Sequence, residues 1–200
     1  CDSGGQYYGG TTDVTRTICL GIKPKKEFIK MYTRVLIGHL NISMIKFPVG
    51  TKGFQIDSLA RCSLWENGID FNHGTGHGVG SFLNVHEGPQ SISKTYNNVE
   101  LQEGMIVSNE PGFYKNGEYG IRIENLVLVK KSRTKNFLEF ETLTMFPYEK
   151  NLIDNEMLNT KQKQWINNYH EAIYKNIYPH LKNEERVWLR KKSFKFNLSL

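Results

Sequence analysis

Four carboxylates in this chain fall in stretches patterned like β-strands, and no other feature restricts its fold as much. Asp2 and Asp13 lie on the two arms of an expected hairpin over 2–20. Gly4-Gly5-Gln6-Tyr7-Tyr8-Gly9-Gly10 separates the arms, and its glycines are expected to supply positive φ in the turn. Glu110 and Glu124 belong to the arms of a second expected hairpin, with strands over 104–109 and 120–129 and Lys115-Asn116-Gly117 at the turn. Residues facing one another across an antiparallel pair sit roughly 4.5–5.5 Å apart, so each hairpin can bring two acids together. Taken singly, each acid reads as a solvated surface group. Their context argues otherwise: Glu124 follows Ile121-Arg122-Ile123, an expected half-buried run where an unpartnered carboxylate is costly. Four converging carboxylates repel unless cations hold them. A dinuclear metal site, with two acids bridging and the others completing each ion, meets that requirement.

The histidines point the same way. His73-Gly74-Thr75-Gly76-His77-Gly78-Val79-Gly80 places two imidazoles in a glycine-dense loop where backbone can approach a ligand closely, and His86 follows in Val85-His86-Glu87-Gly88-Pro89. A single histidine is ordinarily a satisfied polar group. Three of the six in the chain, clustered amid glycine, favour a site.

Elsewhere the periodicity changes twice. After Pro24, Phe28, Met31, Tyr32, Val35, Leu36 and Leu40 recur at helical spacing, and a second helix is expected over 56–66. A strand is expected over 137–146. Beyond Pro147, the stripe Trp165, Ile166, Tyr169, Ile173 and Ile177 is helical, and Asn183 is expected to cap a last short helix. The chain therefore reads as a mixed α+β body over 1–146 with a helical extension over 147–200. With 38% hydrophobic and 23% charged residues it is expected to form a globular core. No run approaches ~18–20 apolar residues, which excludes a spanning helix. The net charge of +6 is concentrated beyond residue 150 and reads as a solvated face rather than a nucleic-acid surface. Cys1, Cys19 and Cys62 form no CxxC pair and suit a reducing compartment. The chain opens on Cys rather than Met with no signal-peptide pattern, so it is expected to be part of a longer polypeptide.

Six motifs in order then carry a resemblance: Asp2-Ser3-Gly4-Gly5-Gln6-Tyr7, Thr12-Asp13-Val14-Thr15-Arg16-Thr17, the loop over 73–80, His86-Glu87-Gly88-Pro89, Asn109-Glu110-Pro111-Gly112 and Gly120-Ile121-Arg122-Ile123-Glu124-Asn125. Together they resemble the pita-bread metallopeptidases, and within them the Xaa-Pro aminopeptidases (aminopeptidase P) of the large cytosolic type. The resemblance implies an α+β pita-bread (creatinase/aminopeptidase) fold, incomplete at the N-terminus, with a C-terminal helical extension. It implies that Asp2 chelates one metal, Asp13 bridges both, His77 and Glu110 bind the second, and Glu124 bridges again. His73 and His86 would face the substrate as catalytic residues, positioning the peptide and shuttling protons, while Arg122 would neutralise the acids. The oxygen-rich donor set suits two divalent ions, Mn²⁺ foremost. The implied substrates are peptides with proline second, the implied assembly a cytoplasmic homodimer through the C-terminal region, with no nucleic-acid or membrane partner. The family usually carries a further active-site histidine upstream of the first metal aspartate, and only Cys1 precedes Asp2 here. Prolidase, which takes dipeptides, and a non-catalytic pita-bread binding protein are the alternatives. The Gly-Thr-Gly-His and His-Glu-Gly-Pro forms favour the aminopeptidase.

Overall fold

The computed structural model describes residues 1–21 and 23–198; positions 199 and 200 of the expected extension lie outside the described residues. The chain divides into two units, Cys1–Thr17 with Arg34–Thr144, and Ile18–Thr33 with Met145–Leu200.

The first unit opens with β1 (Asp2–Tyr7) and β2 (Gly10–Thr15), then most of α1 (Lys26–Met44), β3 (Lys46–Pro48) and α2 (Gly53–Trp65). There follow β4 (Gly76–His77), β5 (Ser91–Ile92), β6 (Ile106–Asn109), β7 (Gly112–Lys115), β8 (Tyr119–Arg122), β9 (Asn125–Lys131) and β10 (Phe137–Thr142). An antiparallel sheet of order β3-β10-β9-β6 carries the core. Phe47, Val107, Val127, Val129 and Leu138 from its strands pack with Ile56 and Ala60 of α2. Full burial of each Val or Leu contributes about 1.5–3 kcal/mol. On α1, Val35, Leu36 and Leu40 are buried at the expected helical spacing, and Ile42 is buried beside them. Its partner α2 passes so close that a Cβ on Gly38 would fall 2.0 Å from the Ala60 carbonyl oxygen. Only glycine fits there.

The first hairpin differs from expectation in where it turns. β1 runs straight through Gly4 and Gly5, the chain reverses at Tyr8-Gly9, and none of these glycines has positive φ. A Cβ on Gly4 would meet the Thr12 carbonyl oxygen at 2.7 Å, so the residue serves close strand approach instead of a bend. The second hairpin is longer than expected. β6 pairs with β9 and β7 with β8 in one continuous register, Asn109 facing Asn125 and Gly112 facing Arg122. The single strand expected over 120–129 is broken at Ile123-Glu124, where Ile123 N–H donates to Pro111 O at 3.3 Å and Glu124 N–H to Thr15 O at 3.0 Å. The expected turn is present, with Gly117 at φ 71°.

The second unit gathers residues 18–33 with the C-terminal segment. Glu149 N–H donates to Tyr32 Oη (3.2 Å) and Asp154 N–H to Thr33 Oγ1 (2.8 Å), which explains why these residues group with the tail. α3 (Thr160–Ile177) starts at a reciprocal capping box between Asn159 and Gln162. α4 (Asn183–Lys192) is capped one residue earlier than expected, at Lys182, whose N–H donates to Glu185 Oε2 at 2.8 Å. Of the aromatic stripe, Ile166, Tyr169 and Ile173 are buried within this unit. Buried His170 accepts from Tyr148 N–H (3.2 Å) and donates to Phe194 O (2.8 Å), fixing Phe194 against α3.

Candidate metal centre

The two hairpins and β4 carry the predicted acids and His77 into one cluster. On β1/β2 the register pairs Asp13 with Gly4 and Asp2 with Thr15. The two aspartates are thus diagonal neighbours on one face rather than direct partners. Glu110 and Glu124 occupy the gap in the long hairpin, where the unbroken register sets them opposite one another. Ligand atoms of Asp2, Asp13 and Glu124 lie within 4.8 Å of one another, as do those of His77, Glu110 and Glu124, and those of Asp13, His77 and His86. The five predicted metal residues are therefore brought together, and His86 joins them at its edge.

β4 is only two residues long, but its placement is strict. A Cβ on Gly76 would fall 1.9 Å from the Ser108 carbonyl oxygen, so glycine alone lets the strand lie against β6. His77 N–H donates to Ser108 Oγ (2.9 Å), and that hydroxyl donates to Glu110 Oε1 (3.0 Å). His77 Nδ1–H donates to the Gly78 carbonyl at 3.0 Å, which leaves the lone pair on Nε2. That Nε2 is buried, lies 3.1 Å from Glu110 Oε1 and 3.7 Å from Asp13 Oδ2, and has no hydrogen-bond partner of acceptable geometry.

The electrostatics of the cluster are those of acids pressed together. Burial first, then the Glu110 charge, pushes the Glu124 carboxyl up to about 8, against a 2.7 Å hydrogen bond from Thr15 Oγ1 that favours its ionised form. Asp13 is raised by burial and by Asp2. Burial opposes charge on His77, yet Glu110 beside it raises its pKa on balance. Arg122 supplies compensation: it is ion-paired to Asp2 through Nη2, its Nε donates to Thr15 Oγ1 at 3.2 Å, and it lies 3.9 Å from Glu110 Oε2. The donor set therefore fits divalent cations. An orphaned imidazole nitrogen and the raised carboxyls of Asp13 and Glu124 converge where a cation would relieve both.

His73 and His86 stand on either side of His77 in the chain and differ in fixation. His73 Nδ1–H donates to Gly74 O (2.8 Å) and Nε2 accepts from Tyr114 Oη (2.8 Å), whose oxygen accepts from Arg122 Nη1 at 3.2 Å. His86 is exposed and sets its ring edge-on to His77, centroids 4.1 Å apart. Sequence reasoning missed Thr15, Ser108 and Tyr114. Thr15 and Ser108 lie two positions from Asp13 and Glu110, so the period of two that places strand residues on one face would have found them. Nothing local marks Tyr114.

Two further layers hold the cluster from behind. Buried Arg16 donates to Glu124 O (2.5 Å) and Asn125 Oδ1 (2.6 Å). Buried His39 contacts Asn109 O through Nδ1 (3.0 Å) and Asn125 Nδ2 through Nε2 (3.2 Å). Each of these asparagines adjoins one of the paired glutamates.

Comparison with known proteins places these residues in a wider set. The model of metallopeptidase family M24 matches residues 1–131, and that of the C-terminal region of peptidase M24 matches 136–195. A probable Xaa-Pro aminopeptidase P of Coprinopsis cinerea is 50% identical over 96% of this chain and 32% of its own length. The crystal structure of X-prolyl aminopeptidase from Caenorhabditis elegans, described as a cytosolic enzyme with a di-nuclear active site, superposes with TM-score 0.94 at 42% identity. It covers 98% of this chain and 33% of its own. The prolidase from Pyrococcus horikoshii superposes with TM-score 0.62 at 36% identity over 74% of this chain and 40% of its own. The chain spans about a third of the length of the curated relatives it matches.

Proposed function

The chain belongs to metallopeptidase family M24 and has its pita-bread fold, and on that premise we propose that it carries the metal centre of an Xaa-Pro aminopeptidase, which releases the N-terminal residue from peptides with proline second. The observation that carries this reading is the buried, unpartnered Nε2 of His77 amid carboxylates that resist joint ionisation. Asp2, Asp13, His77, Glu110 and Glu124 hold two divalent cations, with Mn²⁺ favoured by four hard oxygen donors against one imidazole. When bound, such a pair supplies an activated water and polarises the scissile carbonyl.

The remaining chemistry belongs to this chain's own side chains. Thr15 and Ser108 hold Glu124 and Glu110 in their ligating orientation, and Arg122 offsets charge on the outer side of the cluster. His73 orients the bound peptide, its ring pinned at both nitrogens. His86, exposed at the edge, exchanges protons with the reacting groups. A cytoplasmic location accords with three free thiols and with the cytosolic relative from Caenorhabditis elegans. Among the described residues no helix is long and apolar enough to cross a membrane. A homodimer through the C-terminal region completes the reading.

The test uses the full-length protein with Xaa-Pro tripeptides and Xaa-Pro dipeptides. Hydrolysis of the tripeptides, loss with chelator and restoration best by Mn²⁺ are expected. Cleavage of dipeptides alone would favour the prolidase reading, whose support is the prolidase likeness over three-quarters of the chain. Metal binding without hydrolysis of either would sink the enzyme reading, and restoration by Zn²⁺ alone would overturn the choice of metal.

A further inference from the structure

Behind the histidine loop lies a guanidinium used to its full capacity. Arg61 of α2 is completely buried. Nε and Nη2 donate to the Asp57 carboxylate at 2.7 and 3.2 Å. Nη1 donates to Asp70 Oδ1 and to Phe71 O, both at 2.7 Å. Nη2 also donates to His73 O at 2.9 Å. All five N–H donors of an arginine are thus satisfied. Two of them end on carbonyls of the segment that leads into the histidine loop.

The guanidinium also acts through a ring. Its carbon stands 3.8 Å from the centroid of Phe71, and the Phe71 ring packs on the imidazole of His73 with centroids 4.9 Å apart. The backbone and the ring of His73 are therefore both referred to Arg61, one by a hydrogen bond and one through Phe71. Asp57 extends the same template along the loop, since Thr75 Oγ1 donates to its Oδ1 at 2.6 Å and Thr75 O accepts from Glu110 N–H at 2.7 Å. One turn of α2, from Asp57 to Arg61, thereby dictates the path of residues 70–75. A lysine could not replace the arginine: it has a point charge and three donors where a planar five-donor fork is used.

We propose that Arg61 is a positioning residue for the Xaa-Pro aminopeptidase reaction, holding the His73 imidazole in its substrate-facing place through the His73 carbonyl and the Phe71 ring. The proposal rests on the function inferred above only in taking His73 to face the peptide. A burial role alone would make Arg61 matter for stability and leave His73 indifferent to it. A positioning role makes the two residues one unit in catalysis.

A double-mutant cycle on the full-length protein separates these. His73→Ala is expected to lower kcat/KM about 10²-fold, at the lower end for a positioned polar group. Arg61→Lys and Phe71→Leu should each lower it about 10-fold with metal content unchanged, because His77 keeps its own anchors on Ser108 and Gly78. Combined with His73→Ala, neither should add a further loss. The ¹⁵N shifts of the His73 ring, read without substrate, should move in both single variants. Full multiplication of the losses, or unmoved His73 resonances, would overturn the proposal. So would failure of both Arg61→Lys and Phe71→Leu to fold, which would assign this network to stability. If the wild type cleaves no Xaa-Pro peptide while the His73 resonances still respond, the functional reading fails and the positioning role stands.

Discussion

His77 and His86 sit ring against ring, yet one is half-buried with its Nε2 enclosed among acids and the other is open to solvent. A ligating imidazole must be neutral at the coordinating nitrogen, and removing it costs metal affinity. A proton-exchanging imidazole can go without disturbing the metals. His77→Ala should therefore lose metal and activity together. His86→Ala should keep its metal and lower kcat by about 10²–10⁴-fold, the range for a positioned acid–base group. Metal stoichiometry measured beside kcat decides it. A metal-depleted His86→Ala would make His86 a ligand, a role its approach to Asp13 and His77 would then explain. The acids were legible in the sequence for a physical reason: a carboxylate such as Glu124, set after an apolar strand run, has few stable fates. Tyr114 was not legible, because its meaning lies in His73 and Arg122, 41 and eight positions away, which only packing brings to it.

At the scale of elements, helices and hairpins were readable from periodicity, whereas the gap at Glu124 was not. Its cause is long-range: the Glu124 amide leaves the ladder to bond Thr15 O of the other hairpin. The turn of the first hairpin was misplaced because glycine serves close approach as well as bends, and Gly4 does the former. α1 meets the long hairpin through His39, which is held neutral: burial first, then the Arg16 charge, lowers its pKa to about 3. The unfolded chain takes up a proton at His39 near pH 6.5 and the folded chain resists doing so. This stabilisation is thus complete above about pH 6.5 and is lost as pH falls toward 3. Glu124 and Asp13 act with the opposite sign, since their raised values favour the protonated fold. The comparison must therefore be between variants. His39→Asn should be less stable than wild type at pH 7 and should lose less on going from pH 6.5 to pH 4, as followed by urea unfolding. Parallel pH profiles would show that His39 does not titrate with unfolding.

For the molecule as a whole, the expected aromatic stripe of α3 is spent largely on its own unit. Tyr169 is buried, stacks on Trp165 and donates to Phe146 O at 3.1 Å. That unit also carries a groove of about 480 Å³ lined by Met145, Phe146, Leu181, Glu184, Glu185 and Trp188. Trp188 is 42% exposed. If the proposed homodimer forms there, Trp188→Asp in the full-length protein should halve the mass seen by light scattering. Tyr169→Phe should leave it unchanged. A dimer that persists in Trp188→Asp would free this face of that role. The overall architecture could be read in advance because the motifs keep their order along the chain; which face of the tail remains open could not, since the stripe alone does not say what it packs on.

The bond from Thr15 to Glu124 spans 109 positions, and that span gives the centre a place in time as well as in space. Each hairpin can close locally in about 1–10 μs, gathering no more than two of the four acids. Only when the hairpins dock do all four meet, at the step that also bears the long-range loop closure. Repulsion within each pair is met when its hairpin closes, and docking adds the repulsion between the pairs. The same acids that make the centre receptive to cations oppose its assembly without them.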